Sequence, residues 1–61
     1  MKRTELIRHL KRNGCELLRE GARHSIWRNT RLGNMAAVPR HNKIKEFMAR
    51  KICRDLDIEQ L

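Results

Sequence analysis

Apolar side chains recur at steps of three and four residues near the carboxyl end of the chain. This spacing predicts an amphipathic helix from about Lys43 to Asp57, with Asn42 as its N-cap. An amphipathic helix is not stable alone in water, because its apolar stripe has to be covered by another element. We therefore expect the stripe to pack into a core that the rest of the chain completes. Its members are Ile44, Phe47, Met48, Ile52 and Leu56.

The beginning of the chain predicts a second amphipathic helix, from Thr4 to Asn13. Thr4 is a suitable N-cap residue, and Gly14 is typical of the position that ends a helix. This helix also has a single apolar face, so the two helices need a common surface on which to pack. Its apolar residues at helical spacing are Leu6, Ile7 and Leu10.

Three short segments between the helices have the pattern of β-strands. A glycine-containing turn separates the first two, and a loop over residues 29–34 has the length of a longer hairpin connection. Proline cannot donate to a strand ladder, so Pro39 ends the third segment. The adjacent Leu17 and Leu18 interrupt the alternation, so the pattern does not assign the buried face of the first strand. The predicted strands are Cys15–Glu20, His24–Asn29 and Met35–Val38.

This order of elements predicts one α+β domain over residues 1–61. A three-stranded antiparallel sheet with both helices on one face, in the order α-β-β-β-α, covers both apolar stripes. A chain of 61 residues buries only about 60% of the surface that it exposes when unfolded, so we expect one small core. The other face of the sheet is left open to solvent.

Cys15 and Cys53 have neither Cys-x-x-Cys spacing nor a four-ligand metal pattern. We expect them to be small buried residues, with a disulfide between them as the alternative. No run approaches the ~20 apolar residues of a membrane span, and no apolar segment of a signal peptide follows the basic N-terminus. We therefore expect a cytoplasmic protein that does not enter a membrane.

Charge is distributed unevenly along the chain. The 25 residues from Gly21 to Lys45 include six Lys or Arg and two His, and all seven acidic residues lie outside them. The whole chain has a formal net charge of +8. Arginines outnumber lysines ten to five, and a guanidinium binds phosphate in a planar, two-pronged geometry. This segment predicts a polyanionic partner, with the phosphates of nucleic acid as the commonest example.

His24 is the first candidate in this segment for acid–base chemistry. It follows the glycine turn at the start of the second strand, where a sheet anchors a side chain close to solvent. Arg23 and Arg28 are candidate phosphate ligands beside it. In a regular strand His24, Ile26 and Arg28 share one face. Because Ile26 favours the core side, the pleat leaves the direction of His24 open.

A second candidate phosphate site precedes the final helix, over residues 39–42. The first turn of a helix presents unpaired N–H groups and a partial positive charge, which together bind phosphate. The side chains that would reinforce this site are Arg40, His41, Lys43 and Lys45.

Several chemistries do not fit the sequence. The basic segment has no carboxylate to hold Mg²⁺, and HExxH, Walker and Ser–His–Asp patterns are absent. With one Phe and one Trp, aromatic platforms for stacking bases are scarce. The remaining chemistry is cleavage of RNA without a metal or other cofactor. A neutral histidine takes the proton of the 2′-OH, and arginines stabilise the charge of the transition state.

Three stretches of the chain resemble the HicA toxins of bacterial and archaeal toxin–antitoxin pairs. Residues 4–14 are similar to the first helix of that family and its terminating glycine. Gly21–His24 fits the Gly-x-x-His motif of the family, although many members have a small or polar residue, often Ser, within it. Val38–His41, followed by Ile44–Glu46 and Ala49–Leu56, fits the C-terminal signature.

The resemblance implies a fold similar to double-stranded-RNA-binding domains. It also implies the toxin of a type II toxin–antitoxin system, an endoribonuclease (mRNA interferase) that inhibits growth, with His24 as the catalytic residue. The implied partner is an antitoxin, HicB, that covers the active site and often binds operator DNA, so contact with DNA is expected only through that complex. Two alternatives stay open: a non-catalytic double-stranded RNA or DNA binding module, and a small subunit whose charge matches an acidic protein.

Overall fold

Two helices and three strands make up the fold, and the computed structural model describes all 61 residues. In chain order the elements are α1 (Arg3–Arg12), β1 (Cys15–Glu20), β2 (His24–Asn29), β3 (Met35–Pro39) and α2 (Glu46–Asp55). The strands form one antiparallel sheet in the order β1-β2-β3. The predicted α+β class and element order are confirmed, as are the bounds of the first two strands. Neither helix has the length and apolar composition that spanning a membrane requires.

One face of the sheet carries the core, because β2 alternates strictly between its two sides. Ser25, Trp27 and Asn29 are buried, whereas the alternate residues, which include His24, lie on the opposite side. Residues of both helices belong to the same core cluster as Trp27, so the prediction that both helices cover one face is confirmed. The cluster consists of Leu6, Leu10, Cys15, Trp27, Ala36, Val38, Ile44, Ala49, Ile52, Cys53 and Leu56.

Asn29 is a polar residue at a core position of β2, and both polar atoms of its side-chain amide are hydrogen-bonded. The Nδ2 group donates to the carbonyl oxygen of Leu56 at 2.9 Å. The Oδ1 atom accepts the backbone N–H groups of Arg31 and Leu32 at 2.9 and 3.1 Å. Buried polar groups are stable when they are paired in this way. Asn29 therefore ties the loop after β2 to the end of α2.

Ser25 is the second buried polar residue of β2, and it lies next to His24. Its hydroxyl donates to the carboxylate of Glu20 and accepts a hydrogen bond from Nη2 of Arg3 at 2.9 Å. Nε of the same arginine donates to the carbonyl oxygen of Pro39 at 2.7 Å. The network links α1 to the neighbouring ends of all three strands. It thereby fixes the end of the sheet at which His24 lies.

The first residues of the chain pair with the segment that precedes α2. Lys2 and Lys43 form an antiparallel bridge. The backbone N–H of Ile44 donates to the carbonyl oxygen of Met1 at 2.8 Å, and the terminal amino group of Met1 donates to the carbonyl oxygen of Ile44 at 2.8 Å. These bonds hold residues 43 and 44 in an extended conformation, which excludes them from the helix.

Both predicted N-caps are wrong for this reason. Helix α2 begins at Glu46 with Lys45 as its N-cap, later than the predicted start at Lys43 with Asn42 as the cap. Helix α1 begins at Arg3, with Lys2 rather than Thr4 as the N-cap. In each case the capping residue is extended and makes no side-chain hydrogen bond, so pairing between chain segments decides the start of the helix.

Phe47 is the one member of the predicted C-terminal stripe that does not pack inward. It is 60% exposed, whereas Ile52 and Leu56 are buried. The buried face of α2 also includes Ala49 and Cys53. Residues two apart on a helix do not share a face, so burial of Ala49 turns Phe47 outward. The prediction that Phe47 belongs to the core is therefore wrong.

Both cysteines are buried and free, as predicted. Burial raises the pKa of the Cys15 thiol, and the neighbouring Cys53 raises it further. Burial also raises the pKa of the Cys53 thiol. The two thiols are therefore protonated and weakly reactive near neutral pH, and their role is in packing.

Candidate active site

The face of the sheet away from the helices, here called the open face, is exposed to solvent. The register places Ile26 of β2 between Arg19 of β1 and Ala37 of β3 on this face. A β-bulge between Leu17 and Arg19 brings Leu18 to the same side. The open face thus has an apolar centre around a shallow cavity of about 620 Å³. The centre consists of Leu18, Ile26, Met35 and Ala37.

His24 lies on the open face at the end of the sheet where β2 begins. It pairs with Pro39 of β3, and its side chain is exposed. The residue borders two cavities, of about 350 and 520 Å³. Ile26 does not draw it toward the core, because Ile26 itself lies on the open face. The sequence did not determine which way the side chain of His24 points, and in the structure it points to solvent.

The turn before His24 has space only for glycine at its first position. The backbone N–H of Gly21 donates to the carbonyl oxygen of His24 at 2.8 Å. A Cβ atom on Gly21 would lie 2.8 Å from that same oxygen, which is closer than side chains approach backbone in folded proteins. The Gly-x-x-His pattern therefore describes a tight turn that fixes the backbone of His24.

We expect Gly21→Ala to lower the free energy of unfolding by about 1–3 kcal/mol, because the added methyl group pushes against the His24 backbone. The measurement is the urea midpoint of the two chains. Ala22→Ser is the matched control, since Ala22 is an exposed residue of the same turn and should change stability by less than about 0.5 kcal/mol. Equal urea midpoints for the two variants would contradict the close approach of residue 21 to the carbonyl oxygen of His24.

Arg40 connects the end of β3 to this turn. Its backbone N–H donates to the carbonyl oxygen of Arg23 at 3.1 Å, and its Nη1 donates to the carbonyl oxygen of Gly21 at 2.9 Å. A guanidinium has five N–H donors, so others remain for a ligand. Arg40 therefore positions the turn that carries His24 and lines the larger cavity beside it.

The side chains around His24 form a cationic cluster without a carboxylate. Glu20, the acid nearest to His24 in sequence, is bound by Ser25 on the helix-covered face. No acidic residue lines either of the two cavities. An anion entering them meets positive charge that no neighbouring acid neutralises. The cluster consists of Arg19, Arg23, Arg40 and His41.

Arg19 is the member of this cluster that the sequence did not reveal. It belongs to β1, outside the acid-free segment. Strict alternation from the buried Cys15 would place Arg19 on the covered face. The bulge shifts the alternation by one residue, so Arg19 pairs with Ile26 on the open face. Nothing in the sequence signals this bulge except the adjacent Leu17 and Leu18.

Arg28 lies on the open face but away from the cluster. It is four residues along β2 from His24, roughly 13 Å at the rise of a strand. Its Nη2 donates to Oε1 of Glu16 at 3.0 Å across the strand pair. That carboxylate offsets the positive charge of Arg28, which leaves Arg28 less available to a phosphate than the arginines near His24.

Lys43 and Lys45 line a third cavity, of about 270 Å³, that meets the His24 site at His41. The sequence placed Arg40 and His41 with these lysines at the N-terminus of the last helix. Because α2 begins at Glu46, Arg40 and His41 lie outside its first turn. The structure instead brings Arg40 and His41 together with His24.

This arrangement places the imidazoles of His24 and His41 on one cationic cavity. Imidazole gains and loses a proton near neutral pH, and guanidiniums stabilise negative charge on phosphate. A cavity of this kind can bind a phosphodiester and exchange protons with it. No cluster of three or more His, Cys, Asp or Glu side chains has the arrangement of a metal site.

Comparison with known families gives a match over nearly the whole chain. The family described as HicA toxin of bacterial toxin-antitoxin matches residues 3–58. The match includes the turn at Gly21, the first residue of β2 and the segment that carries Arg40 and His41. No curated protein and no solved structure matches the chain.

Proposed function

The chain belongs to the HicA toxin family of bacterial toxin–antitoxin systems, and we propose that it acts as an endoribonuclease that needs no metal ion. The observation that carries the proposal is the exposed His24 on a cavity that only cationic and neutral side chains line. RNA is the substrate that matches this surface, because it combines dense negative charge with its own nucleophile, the 2′-OH. Cleavage of mRNA would stop translation and growth.

His24 is the general base of the proposed reaction. Its neutral imidazole removes the proton of a ribose 2′-OH, and the 2′-oxygen attacks the adjoining phosphorus. The bond from phosphorus to the 5′-oxygen breaks, which leaves one fragment with a 2′,3′-cyclic phosphate and the other with a 5′-OH. The guanidiniums of Arg23 and Arg40 balance the charge that gathers on the phosphate oxygens. DNA has no 2′-OH and would bind without being cleaved.

His41 is the group in this cavity that can protonate the leaving 5′-oxygen. It lines the same 520 Å³ space as His24. In its protonated form it donates to the oxygen that departs, while His24 accepts the proton that the nucleophile releases. The two histidines then exchange states before the next turnover, or when water opens the cyclic phosphate.

The test of the proposal is incubation of the purified chain with a labelled single-stranded RNA in excess EDTA. We expect fragments that end in a 2′,3′-cyclic phosphate. Intact RNA together with a gel shift that weakens steeply with salt would instead support a non-catalytic binding module. Intact RNA with no shift, but a stable complex with an acidic protein, would support the interaction subunit.

The cognate antitoxin is the second partner, and the open face is where we propose that it packs. Leu18 and Met35 are 47% and 56% exposed there, next to the partly buried Ile26. A contiguous apolar patch beside a functional site is typical of a protein interface, whose centre is poor in charge. An antitoxin segment with apolar and acidic side chains on this face would cover His24 and pair with Arg19.

We expect Met35→Glu to weaken inhibition by the antitoxin by at least about tenfold, since it replaces an apolar contact with a carboxylate that loses its water when the antitoxin packs on it. RNA cleavage should stay unchanged, because Met35 pairs with Arg28 at the end of the sheet opposite to His24. Leu32→Glu is the matched control, on an exposed apolar residue in the loop between β2 and β3. Equal inhibition of both variants would place the antitoxin elsewhere.

A further inference from the structure

Phe47 is the only Phe, Trp or Tyr side chain on the surface of the protein. The chain has one Phe and one Trp, and Trp27 is buried in the core. Phe47 is 60% exposed in the first turn of α2. The fold does not use its ring for packing, because Ala49 and Cys53 form the buried face of this helix. Covering a large exposed aromatic ring with a ligand is favourable, because it removes apolar surface from water.

The surroundings of Phe47 combine basic side chains with the apolar Pro39, Ile44 and Met48. Its ring borders the cavity of about 270 Å³ that His41, Lys43 and Lys45 also line. No carboxylate lines this cavity. Glu46, the nearest acid in the chain, lines a different cavity with Met1 and the C-terminal residues. An aromatic ring beside two lysines and a histidine has the composition of a site for single-stranded nucleic acid, where bases stack and phosphates pair with lysine.

The Phe47 cavity adjoins the proposed catalytic cavity. His41 lines both of them, and no acidic residue lines either one, so a polyanion can extend from one to the other without meeting a carboxylate. A strand of RNA whose scissile phosphate lies at His24 would reach Phe47 through neighbouring nucleotides.

We propose that Phe47 is the platform for one base of the bound RNA, with Lys43 and Lys45 contacting the phosphates beside that base. This inference rests on the proposed function, since it assumes that RNA is the substrate. It adds a nucleotide-binding subsite away from the scissile bond. Stacking accepts every base, so the subsite contributes affinity and position rather than a choice of sequence.

A protein partner fits this site less well than a nucleotide. The centres of protein interfaces are poor in lysine and rich in contiguous apolar surface. The apolar patch of the open face has that composition, since five of the six residues around its cavity are apolar. The cavity at Phe47 instead combines apolar residues with two lysines and a histidine and has no acid, so RNA is the favoured occupant.

The test uses the His24→Ala chain, so that binding is measured without cleavage. Binding of a short single-stranded RNA is followed by fluorescence anisotropy, with and without a further Phe47→Ala change. We expect Phe47→Ala to weaken binding by about 5- to 150-fold, the effect of losing one stacked base. Phe47→Trp should retain or improve binding. Leu32→Ala removes a comparably exposed side chain from the far end of the sheet and should have no effect.

A series of RNAs, each with one abasic nucleotide at a successive position, locates the stacked base. Abasic substitution at one position should weaken binding to the Phe47-containing chain and have no further effect on the Phe47→Ala chain. Equal binding by both chains overturns the subsite alone and leaves the proposed function standing. Loss of antitoxin binding without loss of RNA binding assigns Phe47 to the protein partner and also overturns it. Failure of the Phe47-containing chain to bind any RNA overturns both proposals.

Discussion

We expect the His24→Ala chain to fold normally and to cleave RNA at least about 100-fold more slowly than the unaltered chain. Loss of a general acid or base costs about 100- to 10,000-fold in rate. The fold should be unaffected, because the side chain is exposed on the open face and contributes nothing to the core. The measurement is the cleavage rate at saturating enzyme, together with growth of cells that express each chain without antitoxin.

The His41→Ala chain separates the two proton transfers. We expect it to lose activity on ordinary RNA and to recover on a substrate whose leaving 5′-oxygen is replaced by sulfur, because a thiolate departs without a proton. The His24→Ala chain should not recover on that substrate, since its defect lies at the nucleophile. Full activity of the His24→Ala chain, or equal recovery of both variants, would remove His24 from the role of base.

The second large effect is on folding. We expect Leu10→Ala to lower the free energy of unfolding by about 2–5 kcal/mol. Leu10 is a fully buried residue of α1 that belongs to the core cluster, and its shortened side chain would leave a cavity. Domains have about 0.05–0.15 kcal/mol of stability per residue, which gives a chain of 61 residues about 3–9 kcal/mol in all. The variant should therefore lose roughly half of its stability.

Urea denaturation followed by the fluorescence of the buried Trp27 measures this effect. Leu32→Ala is the control, because it makes the same chemical change at a side chain that is 49% exposed. Its free energy of unfolding should stay within about 0.5 kcal/mol of that of the unaltered chain. A Leu10→Ala chain as stable as this control would show that the core does not depend on α1.

The hairpin of β1 and β2 was predictable from the sequence because its signals are local. The glycine turn at residue 21 and the strand composition on either side of it indicate that these two strands pair, although not the bulge after Leu17 that shifts their register. The same turn sets the position of His24. The sequence therefore identified the main candidate for catalysis from its residue type and from its position directly after the turn. Arg23, Arg40 and His41 were found through the acid-free composition of the central segment.

The start of α2 was not predictable, because contacts with distant residues decide it. Asn42 and Lys43 resemble the start of a helix when they are read alone. Backbone bonds from Ile44 to Met1, 43 residues away, hold this segment extended instead. The delayed start and the burial of Ala49 turn Phe47 outward. The periodic pattern had assigned this aromatic ring to the core, and in the structure it lies on the surface.

The face on which His24 lies also depended on distant partners. Ser25 and Asn29 are polar, so a hydrophobic pattern does not place them in a core. They are buried because Arg3 and Leu56, 22 and 27 residues away, supply their hydrogen bonds. Their burial puts Ile26 and His24 on the open face. Alternation alone identified which residues share a face, and only the tertiary hydrogen bonds identified which face is covered.

The proposed cleavage by a ribose hydroxyl is tested most directly with two strands of one sequence, one of RNA and one fully 2′-O-methylated, each incubated with the chain in EDTA. We expect the RNA strand to yield fragments ending in a 2′,3′-cyclic phosphate, as identified by mass spectrometry. The methylated strand should bind and stay intact. Cleavage of the methylated strand, or fragments of RNA ending in a 3′-OH and a 5′-phosphate, would contradict attack by the 2′-oxygen and the role proposed for His24.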